Sequence, residues 1–169
     1  GHIECESELG KGTVFHVLLP RITKADGAAA AEATSGGDAK SVKGETILVA
    51  EDEEMVRDIT VKCLRDAGYN VLVAQDGEQA LNVFKQHEDT VDLLLLDVIM
   101  PKINGRKVYE VICNMKPDIP VLFCSGYSGD HLANEYLVDV SGEFLQKPFE
   151  APRLLAKIRE ILDVQGDAG

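Results

Sequence analysis

At 169 residues with a hydrophobic fraction of 45%, the chain suits one full domain plus an appendage. Its formal net charge of −12 and pI of about 4.7 argue against broad nucleic-acid binding, which needs a basic face to meet phosphates. No apolar stretch approaches the roughly 20 residues needed to span a bilayer, and no signal peptide is visible, so no direct membrane contact is expected. Four cysteines (Cys5, Cys63, Cys113 and Cys124) lie far apart without a C-x-x-C pair. That spacing suits neither a disulfide framework nor a zinc site and points to a reducing cytoplasm. The first residue is Gly1, not Met, which suggests a piece of a longer protein.

Three zones follow one another. In residues 1–22, Ile3 and Cys5 alternate with acids, Gly10-Lys11-Gly12-Thr13 interrupts, and Val14 to Leu19 follows before Pro20. This predicts a strand, a glycine loop and a second strand. Residues 23–45 are rich in Ala, Gly and Ser with almost no large apolar groups, and read as a flexible linker. Residues 46–164 alternate strand and helix signals five times. Ile47 to Ala50, Val71 to Val73, Leu93 to Leu96, Pro120 to Cys124 and Glu143 to Leu145 are the strand candidates. Between them, Met55, Val56, Ile59 and Cys63 recur at helical spacing until Gly68 stops the helix. Ala80, Leu81 and Phe84 mark a second helix, Val108, Val111 and Ile112 a third, and a weaker one is expected over about 131–137. Leu154, Leu155, Ile158, Ile161 and Leu162 form the stripe of the last, with residues 165–169 as a disordered tail. Five βα units imply an α/β fold: a doubly wound, five-stranded parallel sheet of order 2-1-3-4-5, flavodoxin-like.

Asp97 closes the apolar run before the Pro101- and Gly105-containing loop, so it stands at the carboxyl end of a strand buried on both faces. Ligands of open α/β sheets bind outside that end, at the switch point of the strand order. Glu51 and Asp52 follow strand 1, the neighbour of strand 3 in this order. Three carboxylates brought together repel unless a cation joins them, and hard oxygen ligands favour Mg²⁺. Ser125 ends strand 4. Lys147, after strand 5, can balance the negative charge and grip a phosphoryl oxygen.

With those residues in place, residues 46–164 resemble a response-regulator receiver domain of bacterial two-component systems. The acidic pair after strand 1, the D-x-x-M-P loop with Gly105, Ser125 and Lys147-Pro148 occur in order. The resemblance implies that Asp97 accepts a phosphoryl group from phosphohistidine, the donor being a kinase dimerisation domain or a phosphotransfer protein. It implies that Glu51, Asp52, Asp97 and the Ile99 carbonyl hold Mg²⁺, and that Lys147 and Ser125 hold the phosphoryl oxygens. Ser125 and Phe144 would be the switch residues, and Lys147-Pro148 a cis peptide. Ile99 and Tyr127 flank the expected water path to the phosphoryl group. Both are bulky and neither carries a carboxylate or amide that would orient water, so slow self-dephosphorylation is expected. Glu51 stands where an Asp is commoner, and Phe144 lacks the hydroxyl of the commoner Tyr. A homodimer is among the assemblies such a domain allows.

The segment from Ser7 to Phe15, ending at Leu19-Pro20, is similar to the last glycine box and final strand of the histidine-kinase ATP-binding domain. Residues 1–22 would then be the carboxyl end of that domain, and the parent a hybrid histidine kinase. Without the earlier ATP motifs, the fragment itself would catalyse only its own phosphorylation and dephosphorylation, so whether it counts as an enzyme stays open. Three rivals compete. A flavodoxin-like cofactor binder would want a phosphate loop where Glu51 to Glu54 stand. A haloacid-dehalogenase-type phosphatase needs a second acid where Ile99 stands. A pseudo-receiver used only for protein docking is the alternative from another class.

Overall fold

The computed structural model describes residues 2–18, 44–126 and 142–166. The chain divides into two units, Gly1–Lys40 and Ser41–Gly169. In the first, β1 (His2–Glu8) and β2 (Gly12–Leu18) pair antiparallel, with Ile3 opposite Val17 and Cys5 opposite Phe15. The expected strand, glycine loop and strand are all present, and Gly10 turns the chain at a positive φ of 81° that disfavours any side chain. Every residue of both strands is exposed.

The second unit runs β3 (Thr46–Ala50), α1 (Glu54–Asp66), β4 (Asn70–Ala74), α2 (Gly77–Gln86), β5 (Leu93–Asp97), α3 (Gly105–Cys113), β6 (Val121–Ser125), β7 (Glu143–Gln146) and α4 (Ala151–Gly166). Its five strands are all parallel, in the order β4-β3-β5-β6-β7. This is the expected 2-1-3-4-5 arrangement. The apolar runs lack polar alternation because both sheet faces are covered. Leu94 and Leu96 enter one core layer with Phe84, Val108 and Ile112. Leu93 and Leu95 enter the other with Leu64, Leu154 and Ile158. Among strand side chains at this depth, each fully buried leucine contributes about 2 kcal/mol of transfer free energy.

The helix stripes hold for α2, α3 and α4 but not for α1. Met55 and Ile59, expected to mark its inner face, are 73% and 66% exposed. The buried face is Arg57, Thr60, Val61 and Leu64, which also follows i, i+3, i+4, i+7 spacing. Two polar members hid that stripe, and the more apolar residues beside it drew attention instead. The helix does end where expected, at Ala67 before Gly68. The helix expected over 131–137 and the residue Tyr127 lie outside the described residues, as do the linker residues 23–43. Glu45 belongs to the folded unit: its carboxylate accepts a 2.8 Å hydrogen bond from Arg159 on α4. α4 itself continues to Gly166. Among the described residues, no helix is long and apolar enough to cross a membrane.

Candidate cation and phosphoryl site

Strand register builds the site. Ala50 pairs with Leu96, so the next residues, Glu51 and Asp97, leave adjacent strands side by side at their carboxyl ends. Strand parity then places Glu51 on the face of Ile47 and Val49, and Asp97 on the face of Leu93 and Leu95. Asp52 begins the turn into α1. One carboxylate oxygen from each of Glu51, Asp52 and Asp97 lies within 4.8 Å of the others. Glu51 is buried at 5% exposure, Asp97 is half-buried and Asp52 is exposed, so the cluster opens to solvent on one side.

Lys147 reaches this cluster from two strands away. β7 is separated from β5 by β6, a lateral gap of about 10 Å at normal strand spacing. The four-carbon stem spans it, and the backbone N–H of Lys147 is held by the Ser125 carbonyl at 2.7 Å. Its ammonium donates to Asp97 Oδ2 at 2.7 Å and to Glu51 Oε2. The peptide bond from Lys147 to Pro148 is cis, as expected. Burial opposes the Lys147 ammonium, but its hydrogen bonds to Asp97 and Glu51 more than offset this and hold its pKa above the usual lysine value. Burial pushes the Glu51 carboxyl above its ordinary range, against the pull of the Lys147 hydrogen bond and charge. Lysine therefore keeps its proton, and one ammonium faces two inner carboxylates with a third beside them. That set of hard oxygens, short of positive charge and open to water, fits a small divalent cation.

The loop after β5 supports Asp97. Asp97 Oδ1 accepts from the Ile99 N–H at 3.0 Å, and the Gly105 N–H donates to the Val98 carbonyl at 3.2 Å. A Cβ on Gly105 would fall 2.1 Å from the Asp97 carbonyl oxygen, so no other residue fits behind the aspartate without moving it. Ile99 is exposed beside the site. Ser125 is buried at the end of β6, one strand from Asp97. Phe144 is on β7 opposite Phe123. Its ring stacks on Phe123 with centroids 5.3 Å apart, and Phe123 in turn meets Tyr109 edge-on at 5.7 Å. Phe144 is thus not an ordinary core ring: one face packs and the rest remains at the surface.

The described residues bring together Asp97, Glu51, Asp52 and Lys147, with Ser125 and Ile99 at the rim. Nothing in this arrangement favours the docking-only reading, which has no use for a converged carboxylate cluster. Sequence reasoning missed Arg57, whose guanidinium is buried against the turn carrying Glu51 and Asp52. The available signal was a charged residue at a core-facing helical position.

Comparison with known proteins agrees with this geometry. Residues 47–159 match the family model described as "Response regulator receiver domain". Over 170 residues the chain is 35% identical to the sensor kinase CckA of Brucella abortus, covering 98% of this chain and 18% of that protein. It is 32% identical over 178 residues to the autoinducer 1 sensor kinase/phosphatase LuxN of Vibrio harveyi, covering 96% of this chain and 20% of that protein. The chain thus spans about a fifth of the length of these curated relatives. The crystal structure of the receiver domain from the hybrid histidine kinase CckA superposes with a TM-score of 0.59 at 35% identity, covering 69% of this chain and 98% of that one.

Proposed function

Because the chain belongs to the response regulator receiver domain family, we propose that residues 46–164 are the phosphoacceptor receiver of a hybrid sensor histidine kinase, phosphorylated on Asp97. The observation that carries this is the meeting of Asp97 with Glu51, Asp52 and Lys147 at one strand end. A carboxylate oxygen of Asp97 attacks the phosphorus of a phosphohistidine. The O–P bond forms as the P–N bond breaks, and the imidazole leaves and takes up a proton. Such transfer depends on alignment and charge neutralisation more than on covalent help. Lys147 already lies on Asp97 and would follow the incoming phosphoryl oxygens, with Ser125 holding another. Mg²⁺, held by Glu51, Asp52, Asp97 and the Ile99 carbonyl, would offset charge on the phosphoryl oxygens. The donor is a kinase dimerisation domain or a phosphotransfer protein, and ATP-fed relay chemistry sets its location in the cytoplasm.

Ser125 is also the first half of the proposed switch. Drawn toward the acyl phosphate, it would shift the segment after β6 and change the packing of Phe144 on Phe123. Residues 1–22 are proposed as the end of a kinase ATP-binding domain, residues 23–43 as linker and 167–169 as tail; Glu45 and the last turn of α4 belong to the folded unit. The exposed apolar residues Ile3, Phe15 and Val17 on the β1–β2 ribbon support this, since a lone two-stranded ribbon leaves such a face uncovered.

The test is phosphorylation by acetyl phosphate with Mg²⁺, read by intact mass. The wild-type chain should gain one phosphoryl group, and Asp97→Asn none while keeping its far-UV circular dichroism. A phosphorylated Asn variant overturns the assignment.

A further inference from the structure

We propose that Arg57 is a positioning residue of the cation site, tying down from α1 the backbone of both acids that follow β3. Arg57 is only 9% exposed, although it lies in the first turn of a surface helix. Its Nη1 donates to the Glu51 carbonyl at 3.1 Å and to the Asp52 carbonyl at 3.2 Å. Nη1 carries two hydrogens in the guanidinium plane, so each carbonyl can receive one. A charged donor makes these bonds stronger than neutral ones; the bond to Glu51 is buried away from water and the bond to Asp52 partly so.

The turn needs such a tie. Glu51 still donates its N–H to the Ala74 carbonyl at 3.2 Å, the last strand bond of β3. Beyond it the chain leaves the sheet, and the cap residue of α1, Glu53, makes no side-chain cap hydrogen bond. The Glu53 N–H instead reaches Glu51 Oε1 at a long 3.4 Å. Between the sheet and the first helical turn, Arg57 supplies the bonds that hold the two peptide groups. Fixing those carbonyls fixes the backbone torsions of Glu51 and Asp52, and hence where their carboxylates point. One of those carboxylates meets Lys147, and both meet Asp97.

Arginine suits this task better than lysine, whose ammonium is more compact and turns freely about its stem. As a charge alone, a cation behind an acidic cluster would oppose a divalent ion. As a brace, it favours that ion by holding the ligands ready. The two roles predict opposite signs, which makes them separable. Supports behind metal ligands typically change affinity 10- to 100-fold.

The inference rests on the proposed Mg²⁺ site, and the experiment separates the two. Mg²⁺ binding to the full chain is measured by calorimetry for wild type, Arg57→Met and Arg57→Lys, with thermal melts in EDTA. Both variants should bind Mg²⁺ about tenfold more weakly. Both should need correspondingly more Mg²⁺ for half-maximal phosphorylation by acetyl phosphate, with the rate at saturating Mg²⁺ little changed. Arg57→Lys retains the charge and covers the case in which Arg57→Met does not fold. If a folded variant melts lower but binds Mg²⁺ as the wild type does, Arg57 only supports the fold and the inference fails. Tighter binding by Arg57→Met shows a repelling charge and also overturns it. A wild-type chain that binds no Mg²⁺ removes the proposed site itself, and the inference with it.

Discussion

Lys147→Met removes the ammonium that joins Glu51 to Asp97, and its cost follows from the geometry. The facing carboxylate oxygens are within 4.8 Å of each other. At that separation two unit charges repel by about 3.5 kcal/mol at an effective dielectric of about 20. One carboxyl can escape by taking a proton. From an ordinary carboxyl pKa of 4.5, protonation at pH 7 costs about 3.4 kcal/mol. The two routes cost nearly the same, so metal-free Lys147→Met should lose about 3 kcal/mol, at the low end for breaking a buried pair. For a folded unit of this size, that lowers the melting temperature by roughly 10 °C. Differential scanning calorimetry in EDTA measures the loss directly. Mg²⁺ should then raise the melting temperature of Lys147→Met more than that of the wild type, since it restores positive charge. A variant that melts in EDTA within about 2 °C of wild type, under 1 kcal/mol on the same scale, would refute the coupling.

Other outcomes are expected at neighbouring positions. Gly77→Ala places a methyl group 2.0 Å from the Ile103 carbonyl oxygen and 2.8 Å from its carbonyl carbon, backbone atoms that no rotamer change can move aside. It should cost about 1–3 kcal/mol in chemical denaturation, an overpacking penalty, because the loop after β5 or the start of α2 must move. Lys102 already clasps that loop to Asp76 at 2.8 Å, so little slack remains. Ile99→Asn puts a water-orienting amide beside Asp97 and should shorten the lifetime of the phosphorylated protein several-fold. A decay followed by phosphorus NMR that is unchanged would sink the idea that Ile99 slows hydrolysis. The Cys124 thiol is pushed up to about 12, chiefly by burial, so almost no thiolate exists at pH 8. Iodoacetamide should therefore modify exposed Cys5 in the native protein and reach Cys124 only after denaturation, as peptide mass mapping can show.

Much of the site was legible because its residues flank local signals. Asp97 follows four leucines, Glu51 and Asp52 follow Ile47 to Ala50, and Lys147 precedes a proline after a short apolar run. Each pattern needs only its own neighbours in the chain. The helix over α1 was legible too, but its orientation was not. Hydrophobicity alone favoured Met55 and Ile59, whereas the structure buries Arg57 and Thr60. A polar residue faces inward when partners await it, and the partners of Arg57 are backbone carbonyls in the preceding turn. Composition carries no sign of such acceptors. Phe144 is similar: its surface position and its stack on Phe123 depend on strand pairing between residues 21 positions apart in the chain.

Chain order and apolar periodicity determined by themselves that five strands occur with helices following the first, second, third and fifth, that both sheet faces are covered, and that acids and a lysine stand at strand ends. Both periods, two for strands and 3.6 for helices, are properties of neighbouring residues. Only the tertiary structure decided which strand ends lie side by side, that Lys147 crosses β6 to reach Asp97, and that a buried guanidinium braces the acidic turn. Those relations depend on register and distance between segments up to 96 residues apart, which no local pattern encodes.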